Sequence, residues 1–488
     1  MNFMQMPRSC CPMNPNQPER RLPRRALPAA LALAFALSGC ASLLQQTTSL
    51  PRTPVPAAWS TGAATPAAAT SLAQWWQRFN DPLLGTLVTQ ALQANSTVRT
   101  AQAALQQARA LRDVRSANLF PTVAASAAAQ RSQSGGNDAS NNFRAGFDAS
   151  WEPDVFGARR SALSATEADA QAAQASLADT QVSIAAEVAV TYIELRGLQA
   201  RLTIARNNLA SQTETQQITS WRVQAGLASS LDLEQARAAS AQTSAQIPLL
   251  QTSAAQAQHS LAVLTGQAPG ALQATLDAAR PMPQAPVDLA LGIPAETLRQ
   301  RPDVRAAEHR ISAALARVSQ ADAARYPGFQ LSGSLGLSAL TLGSLTTAGT
   351  VANSLLGSVS IPLFDGGAAR AQVRAQEAVL EQTRVGYQAT VLTALKDVED
   401  ALVALQGDRE RLARLELAAD AAGNAELLAR QRYASGLIDF RSVLETQRTL
   451  LSTQDSVEST RASLSADHVR LYKALGGGWV PATEPARL

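Results

Sequence analysis

Residues 221–228 read WRVQAGLA, and residues 431–440 read QRYASGLIDF. Arg222, Gly226 and Leu227 in the first phrase stand as Arg432, Gly436 and Leu437 do in the second, and 436 − 226 = 210. Each glycine sits in a short polar break between two tracts of helical period, with apolar periodicity resuming at Leu231 and Val443. Glycine adopts the left-handed conformation that ends a helix at little cost, so each phrase is read as the tip of a helical hairpin.

Outward from the phrases the hairpins are very long. From Ala158 to Arg222 there is no proline and a single glycine, Gly197, over 65 residues. At about 1.5 Å per residue this is a helix of roughly 100 Å. Leu195, Leu198, Leu202, Ala205 and Leu209 step by three and four, the seam of a coiled coil. Leu395, Val398, Leu402, Leu405 and Leu412 repeat that spacing after Gly366-Gly367, with Arg409 at one apolar position. Subtracting 210 lands on Ala185, Val188, Tyr192, Leu195 and Leu202, so a whole unit is duplicated.

Before each hairpin the period changes to two. Phe143, Ala145, Phe147, Ala149 and Trp151 alternate with Arg144, Gly146, Asp148, Ser150 and Glu152; Phe329, Leu331, Leu335 and Leu337 alternate with Gln330, Ser332, Ser334 and Ser338. A further alternation is read from Val359 through Ile361 to Leu363, and a weaker one at Val123 and Ala125. That makes four strands of roughly the 9 to 11 residues that cross a bilayer. Four strands cannot close on themselves, and an open edge cannot face lipid. Either the sheet packs on the chain's own helices or several chains pool strands into one barrel with a wet, polar lumen.

Charge narrows the function. The first 39 residues carry five arginines and Glu19, which accounts for the whole net charge of +4 and leaves 37 basic against 37 acidic residues afterwards. A nucleic-acid surface needs excess positive charge on the folded part, so no nucleic-acid partner is expected. The basic n-region, the apolar run Ala26–Leu37 and the small residues after it read as a secretory signal peptide over 1–39, too short to span a bilayer. Counting from Met13 gives a more usual signal length. Leu37-Ser38-Gly39-Cys40 resembles a bacterial lipobox, which makes Cys40 the expected lipidated first residue and the only cysteine of the mature chain, without a disulfide partner. Residues 40–70, rich in Pro, Thr, Ala and Ser, read as an extended tether. The remaining segments are a first repeat over 71–280, with helices, two strands and a hairpin, a second repeat over 281–477, and a tail over 478–488.

No catalytic pattern competes. His259, His309 and His468 lie in helical tracts without metal-ligand neighbours, so no metal, cofactor or enzymatic role is expected, and there is no P-loop, nucleophile elbow or dinucleotide fingerprint. A structural coiled-coil envelope lipoprotein would explain the heptads and the tether, but not four bilayer-length alternating tracts.

The motifs carry a resemblance that covers nearly everything after Cys40. LRQRPDVRAAEHRISAALARVSQADAARYPGFQLSGS at 298–334, with Arg301-Pro302-Asp303-Val304 and Ala307-Glu308, looks like the inter-repeat signature of the outer-membrane factor family, the TolC-type exit ducts. WWQRFNDPLLGTLVTQAL near 75–92, WEPDVFG at 151–157 and IPLFDGG at 361–367 point the same way, to the efflux lipoprotein branch of OprM/NodT type.

The resemblance implies a mixed α/β membrane protein: a homotrimer whose chains give four strands each to a 12-stranded β-barrel in outer-membrane lipid, continued by a long α-helical coiled-coil periplasmic barrel. It implies the outer-membrane exit duct of a tripartite efflux pump, passing drugs or toxic compounds from a proton-driven inner-membrane pump and a periplasmic adaptor; a type I secretion duct shares the fold. The tip residues Arg222, Gly226, Leu227, Arg432, Gly436 and Leu437 would meet the adaptor. A closed gate in the family rests on a Tyr–Asp tie, here Tyr433 and Asp232, with Glu445 in an acidic ring, Arg448 one turn on, and Arg441 in place of an arginine that falls on Ile438.

Overall fold

A computed structural model describes residues 51, 54–60, 72–133, 135, 138–284, 294–347 and 349–479. The signal peptide, Cys40, most of the 40–70 tether and the tail from residue 480 lie outside the described residues. All that follows belongs to one compact unit, Thr48–Leu488.

The duplication is exact in length where the hairpins are concerned. Helices α1 (Pro82–Ala94) and α2 (Ser96–Ala117) precede the first hairpin, formed by α3 (Ala158–Gln224) and α4 (Ser230–Leu264); the short α5 (Gln273–Leu276) follows it. In the second repeat α6 (Pro294–Gln300) and α7 (Pro302–Ala323) precede the hairpin of α8 (Ala368–Ala434) and α9 (Phe440–Ala474). Helices α3 and α8 both have 67 residues, and α4 and α9 both have 35. Each long helix is about 100 Å. Pro248 sits inside α4 without ending it, so tertiary packing overrides the lost hydrogen bond.

Local chemistry sets the starts. Gly157 (φ 82°) and Gly367 (φ 89°) precede α3 and α8 in the left-handed region. In WEPDVFG the Asp154 carboxylate accepts from the backbone N–H of Arg159 at 3.0 Å and of Arg160 at 2.8 Å; in PLFDGG the Asp365 carboxylate accepts from those of Gly367 and Ala369, both at 2.8 Å. These aspartates satisfy donors that the first turn leaves unpaired.

Helix α3 lies between its own partner α4 and α9 of the second hairpin, with α7 packed on both α3 and α8. The α3–α9 seam carries a bidentate pair of Arg201 with Asp455 at 2.7 and 3.1 Å, Asn208 donating to Gln454 at 3.0 Å and Gln447 donating to Thr215 at 3.0 Å. The heptad leucines Leu195 and Leu198 are buried and Leu202 packs against the same core, whereas Leu231 is exposed. The largest core gathers Trp75, Trp76 and Phe79 against Tyr192 and Tyr472, with Trp75 stacked on Tyr472 at 5.4 Å between centroids. Asp81 caps α1 and also accepts from the Tyr192 hydroxyl at 2.8 Å, which accounts for the WWQRFNDPLL motif. The extended tether segment is held at one point: Trp59 is buried against Val398, Ala401, Leu402, Leu405 and Leu471, on α8 and α9.

Four strands form one antiparallel sheet in the order β1 (Thr122–Ser132), β2 (Ser140–Trp151), β3 (Gly328–Ala339), β4 (Val351–Ser360). Residues paired directly across strands share a face. Ala125, Phe147, Leu335 and Asn353 lie on one row, as do Val123, Ala149, Gly333 and Leu355, and these rows form the apolar face. The opposite face aligns Ala124, Asp148, Ser334 and Ser354, where Ser126 donates to Asp148 at 2.6 Å and Ser334 and Ser354 share a hydrogen bond at 2.8 Å. The fourth strand differs from the alternation read at Val359–Leu363: Ile361 and Leu363 lie past its end, because Pro362 has no N–H and Asp365 already belongs to the α8 cap. Its apolar residues fall on both parities, Leu355 on one face and Leu356 on the other, which hides the period of two. No helix among the described residues is long and apolar enough to cross a membrane.

Candidate functional site at the hairpin tips

Both tips are built by the same hydrogen bonds. The Leu227 N–H donates to the Arg222 carbonyl at 2.7 Å and Gly226 N–H to Val223 at 3.0 Å; Leu437 N–H donates to Arg432 at 2.9 Å and Gly436 N–H to Tyr433 at 2.9 Å. This pair of reversed bonds is the Schellman cap, and Gly226 (φ 71°) and Gly436 (φ 73°) take its left-handed position. The cap turns the following leucine outward: Leu227 is 70% and Leu437 74% exposed in the protomer.

The two tips lie side by side. Arg222 donates through Nη1 to the Tyr433 carbonyl at 2.6 Å, and its guanidinium carbon stands 4.5 Å from the centre of the Tyr433 ring. The ring is buried among Ala236, Ala239, Ala429, Phe440, Val443 and Leu444, edge-on to Phe440 at 5.6 Å. A cation over an aromatic face is attractive, more so when shielded from water.

Within the protomer the Tyr433 hydroxyl and the Asp232 carboxylate do not meet. Asp232 occupies the third position of α4, where its carboxylate accepts from the Ser229 N–H at 3.1 Å and hydroxyl at 2.8 Å, while its own N–H donates to the Ser229 hydroxyl at 3.2 Å. This capping box uses Oδ2 of the aspartate. The Tyr433 hydroxyl is buried without a hydrogen-bond partner among the described residues. Arg222, read as an adaptor contact, is the residue that reaches Tyr433.

Arg441, Glu445 and Arg448 are all exposed near the start of α9, and Glu445 and Arg448 form no ion pair in the protomer. The cap of α9 is Asp439, which accepts from the Ser442 N–H at 3.1 Å and hydroxyl at 2.6 Å; these bonds hold its carboxyl below the usual range. Sequence reasoning passed over Asp439, although Asp-x-x-Ser before an apolar run is an N-cap signal.

A second cluster lies at the other end of the hairpins, around the RPDV motif. Arg301, 8% exposed, donates to the Ala474 carbonyl at 2.7 Å, to both Asp303 oxygens at 3.1 and 2.7 Å, and to Asp397 at 3.2 Å. It thereby joins the starts of α7 to the end of α9 and to α8, beside a cleft of about 390 Å³ with Asp179, Asp467 and Lys473 in its walls. Burial raises the carboxyl of Asp179, with Asp303 adding to the effect, and that of Asp467. Glu308 is also raised by burial and accepts from the Tyr387 hydroxyl at 3.4 Å. Among the described residues no group of His, Cys, Asp and Glu is suited to hold a metal ion.

A long helical body with a sheet of one apolar and one polar face is the architecture expected of an outer-membrane channel. The model of the outer membrane efflux protein family matches residues 87–267 and 293–477, one match in each repeat. Nodulation protein T of Rhizobium leguminosarum bv. viciae is 30% identical over 452 residues, covering 92% of this chain and 93% of that protein. The pyoverdine export outer membrane protein OpmQ of Pseudomonas aeruginosa is 32% identical over 440 residues, covering 87% and 91%. The solved outer-membrane channel OprN superposes with a TM-score of 0.82 at 37% identity, covering 89% of this chain and all of that one. The chain belongs to the outer membrane efflux protein family. It is an outer-membrane exit duct of the tripartite efflux type, and its four strands per chain fit a barrel of twelve closed by three copies.

Proposed function

We propose that this duct is a homotrimer anchored by lipidated Cys40, that a periplasmic adaptor docks on its hairpin tips, and that a proton-driven inner-membrane pump loads it with small organic molecules, drugs or toxic compounds. The observation that supports the docking site is the pair of adjacent Schellman caps, each presenting an exposed leucine. Three copies repeat this small apolar knob around the ring, in a form that the helical end of a partner can grip. The names of two relatives, for pyoverdine export and toluene efflux, favour small organic cargo. In this reading residues 71–280 and 281–477 are the two duct-forming repeats, and Glu445, repeated three times at the mouth, favours cations.

Photocrosslinkers at Leu227 and Leu437 test the site. Crosslinks to the cognate adaptor are expected; their complete absence in cells that still expel the pump's substrates would overturn it. Palmitate labelling that is present in the native chain and lost in Cys40→Ser tests the anchor, and equal labelling of both would remove it. Glu445→Gln is expected to lower cation selectivity in planar bilayers.

A further inference from the structure

The duplication at the tips is complete in backbone and incomplete in side-chain ties. Arg222 on the first hairpin grips the second hairpin of its own protomer. Its counterpart at 222 + 210, Arg432, is exposed and has no side-chain partner among the described residues. In a ring of three copies the first and second hairpins alternate, so the neighbour beyond the second hairpin is the first hairpin of the next protomer. The carbonyl equivalent to that of Tyr433 is then Val223, since 433 − 210 = 223. It points the same way: the Val223 carbonyl accepts from Gly226 N–H at 3.0 Å, as the Tyr433 carbonyl accepts from Gly436 N–H at 2.9 Å. Each carbonyl oxygen keeps a second lone pair for an arginine.

We propose that Arg432 is the other half of a ring of arginine latches, donating to the backbone carbonyl of Val223 of the partner subunit as Arg222 donates to that of Tyr433. The inference rests on the reading of the chain as a trimeric duct. Glycine at the cap matters to it as well. A Cβ on Gly436 would lie 3.7 Å from an Arg222 guanidinium nitrogen, whereas nothing in the protomer lies within 4 Å of the same point on Gly226.

The two kinds of latch are unequal. Val223 offers a carbonyl but no aromatic face. The other ties of the α3–α9 seam do not repeat either: the equivalents of Arg201 and Asp455 are Arg411 and Ala245, those of Asn208 and Gln454 are Ala418 and Ser244, and those of Thr215 and Gln447 are Ala425 and Arg237. None of these makes the same pair. Of these ties only the arginine-to-carbonyl contact has both its partners at the equivalent positions, which makes Arg432 the contact to test at the seams between protomers.

Full-length trimer in planar bilayers and in detergent tests this. Arg432→Ala should raise single-channel conductance severalfold, and Arg432→Lys, which keeps a donor for a carbonyl, should restore much of the closed state. Arg222→Lys should restore less, because the planar guanidinium is lost from the Tyr433 ring. Cysteines at Val223 and Arg432 together, treated with a short bis-maleimide, should give covalent dimers and trimers that neither single variant gives. Native conductance in Arg432→Ala, or no covalent ladder from a trimer whose mass is confirmed, would overturn the latch and leave the duct intact. A native protein that neither trimerises nor conducts would instead remove the reading on which the latch rests.

Discussion

Gly146 and Gly336 face each other across β2 and β3 so closely that a Cβ on Gly146 would stand 2.7 Å from the Gly336 Cα and 2.7 Å from the Leu335 carbonyl oxygen. Both obstacles are backbone, which cannot swing aside, so the pair permits the close approach of the two strands on the polar face. Gly146→Ala is therefore expected to abolish heat-resistant trimer on a gel. Gly333→Ala, whose nearest neighbours are at 3.6 Å, should leave it. Equal trimer yield from the two variants would show that the close approach is not required.

The paired rows assign the faces. Arginine in place of Phe147 or Leu335 puts a charge on the apolar face and is expected to cost about 2 to 4 kcal/mol near the bilayer midplane. The same change at Ser150 or Ser334, on the polar face, should be mild. Folding into lipid vesicles, followed by urea titration, measures the difference. A larger loss from the serine variants would invert the assignment.

Arg301 holds three partners from inside the fold: the Ala474 carbonyl, Asp303 and Asp397. Arg301→Met takes the guanidinium from the Ala474 carbonyl and from two partly exposed carboxylates, of which Asp303 keeps the Val304 N–H, and is expected to cost about 1 to 3 kcal/mol. Lysine, a point charge without the fork, should recover only part of that. Thermal unfolding of the detergent-solubilised protein is the measurement, and a melting temperature unchanged in Arg301→Met would refute the role.

His468 is buried, and burial, with Arg409 nearby, pushes its imidazole down to about 4. An unfolded histidine takes its proton below about 6.5 while the folded one stays neutral, so the unfolded state binds more protons between these values. Stability from this group is full above about 6.5 and falls as pH drops towards 4, by roughly 3 kcal/mol per protomer. Asp179 and Asp467, raised by burial, act in the opposite direction. The readout is therefore the difference between the native chain and His468→Gln, which should lose stability less steeply over that window. Parallel pH profiles would exclude His468 as a contributor.

The sequence by itself determined the elements and their duplication. Helix period, the absence of proline, left-handed glycines and alternating tracts are local properties, and a neighbour three or four positions away decides them. Hence the two hairpins, the tips and three of the four strands are legible from residues alone, while β4 is blurred because Leu355 and Leu356 put apolar groups on both faces. Which side chains meet was decided only in the tertiary structure. Tyr433 is paired with Asp232 by motif, whereas within the protomer Asp232 turns Oδ2 to Ser229 and it is Arg222, from 211 positions away, that reaches Tyr433. Arg196, buried and donating to the carbonyls of Leu276 and Ala278, gave no local sign of its role. Contacts of this kind depend on the rotation and axial offset of one long helix against another, and many residues scattered along both set those jointly.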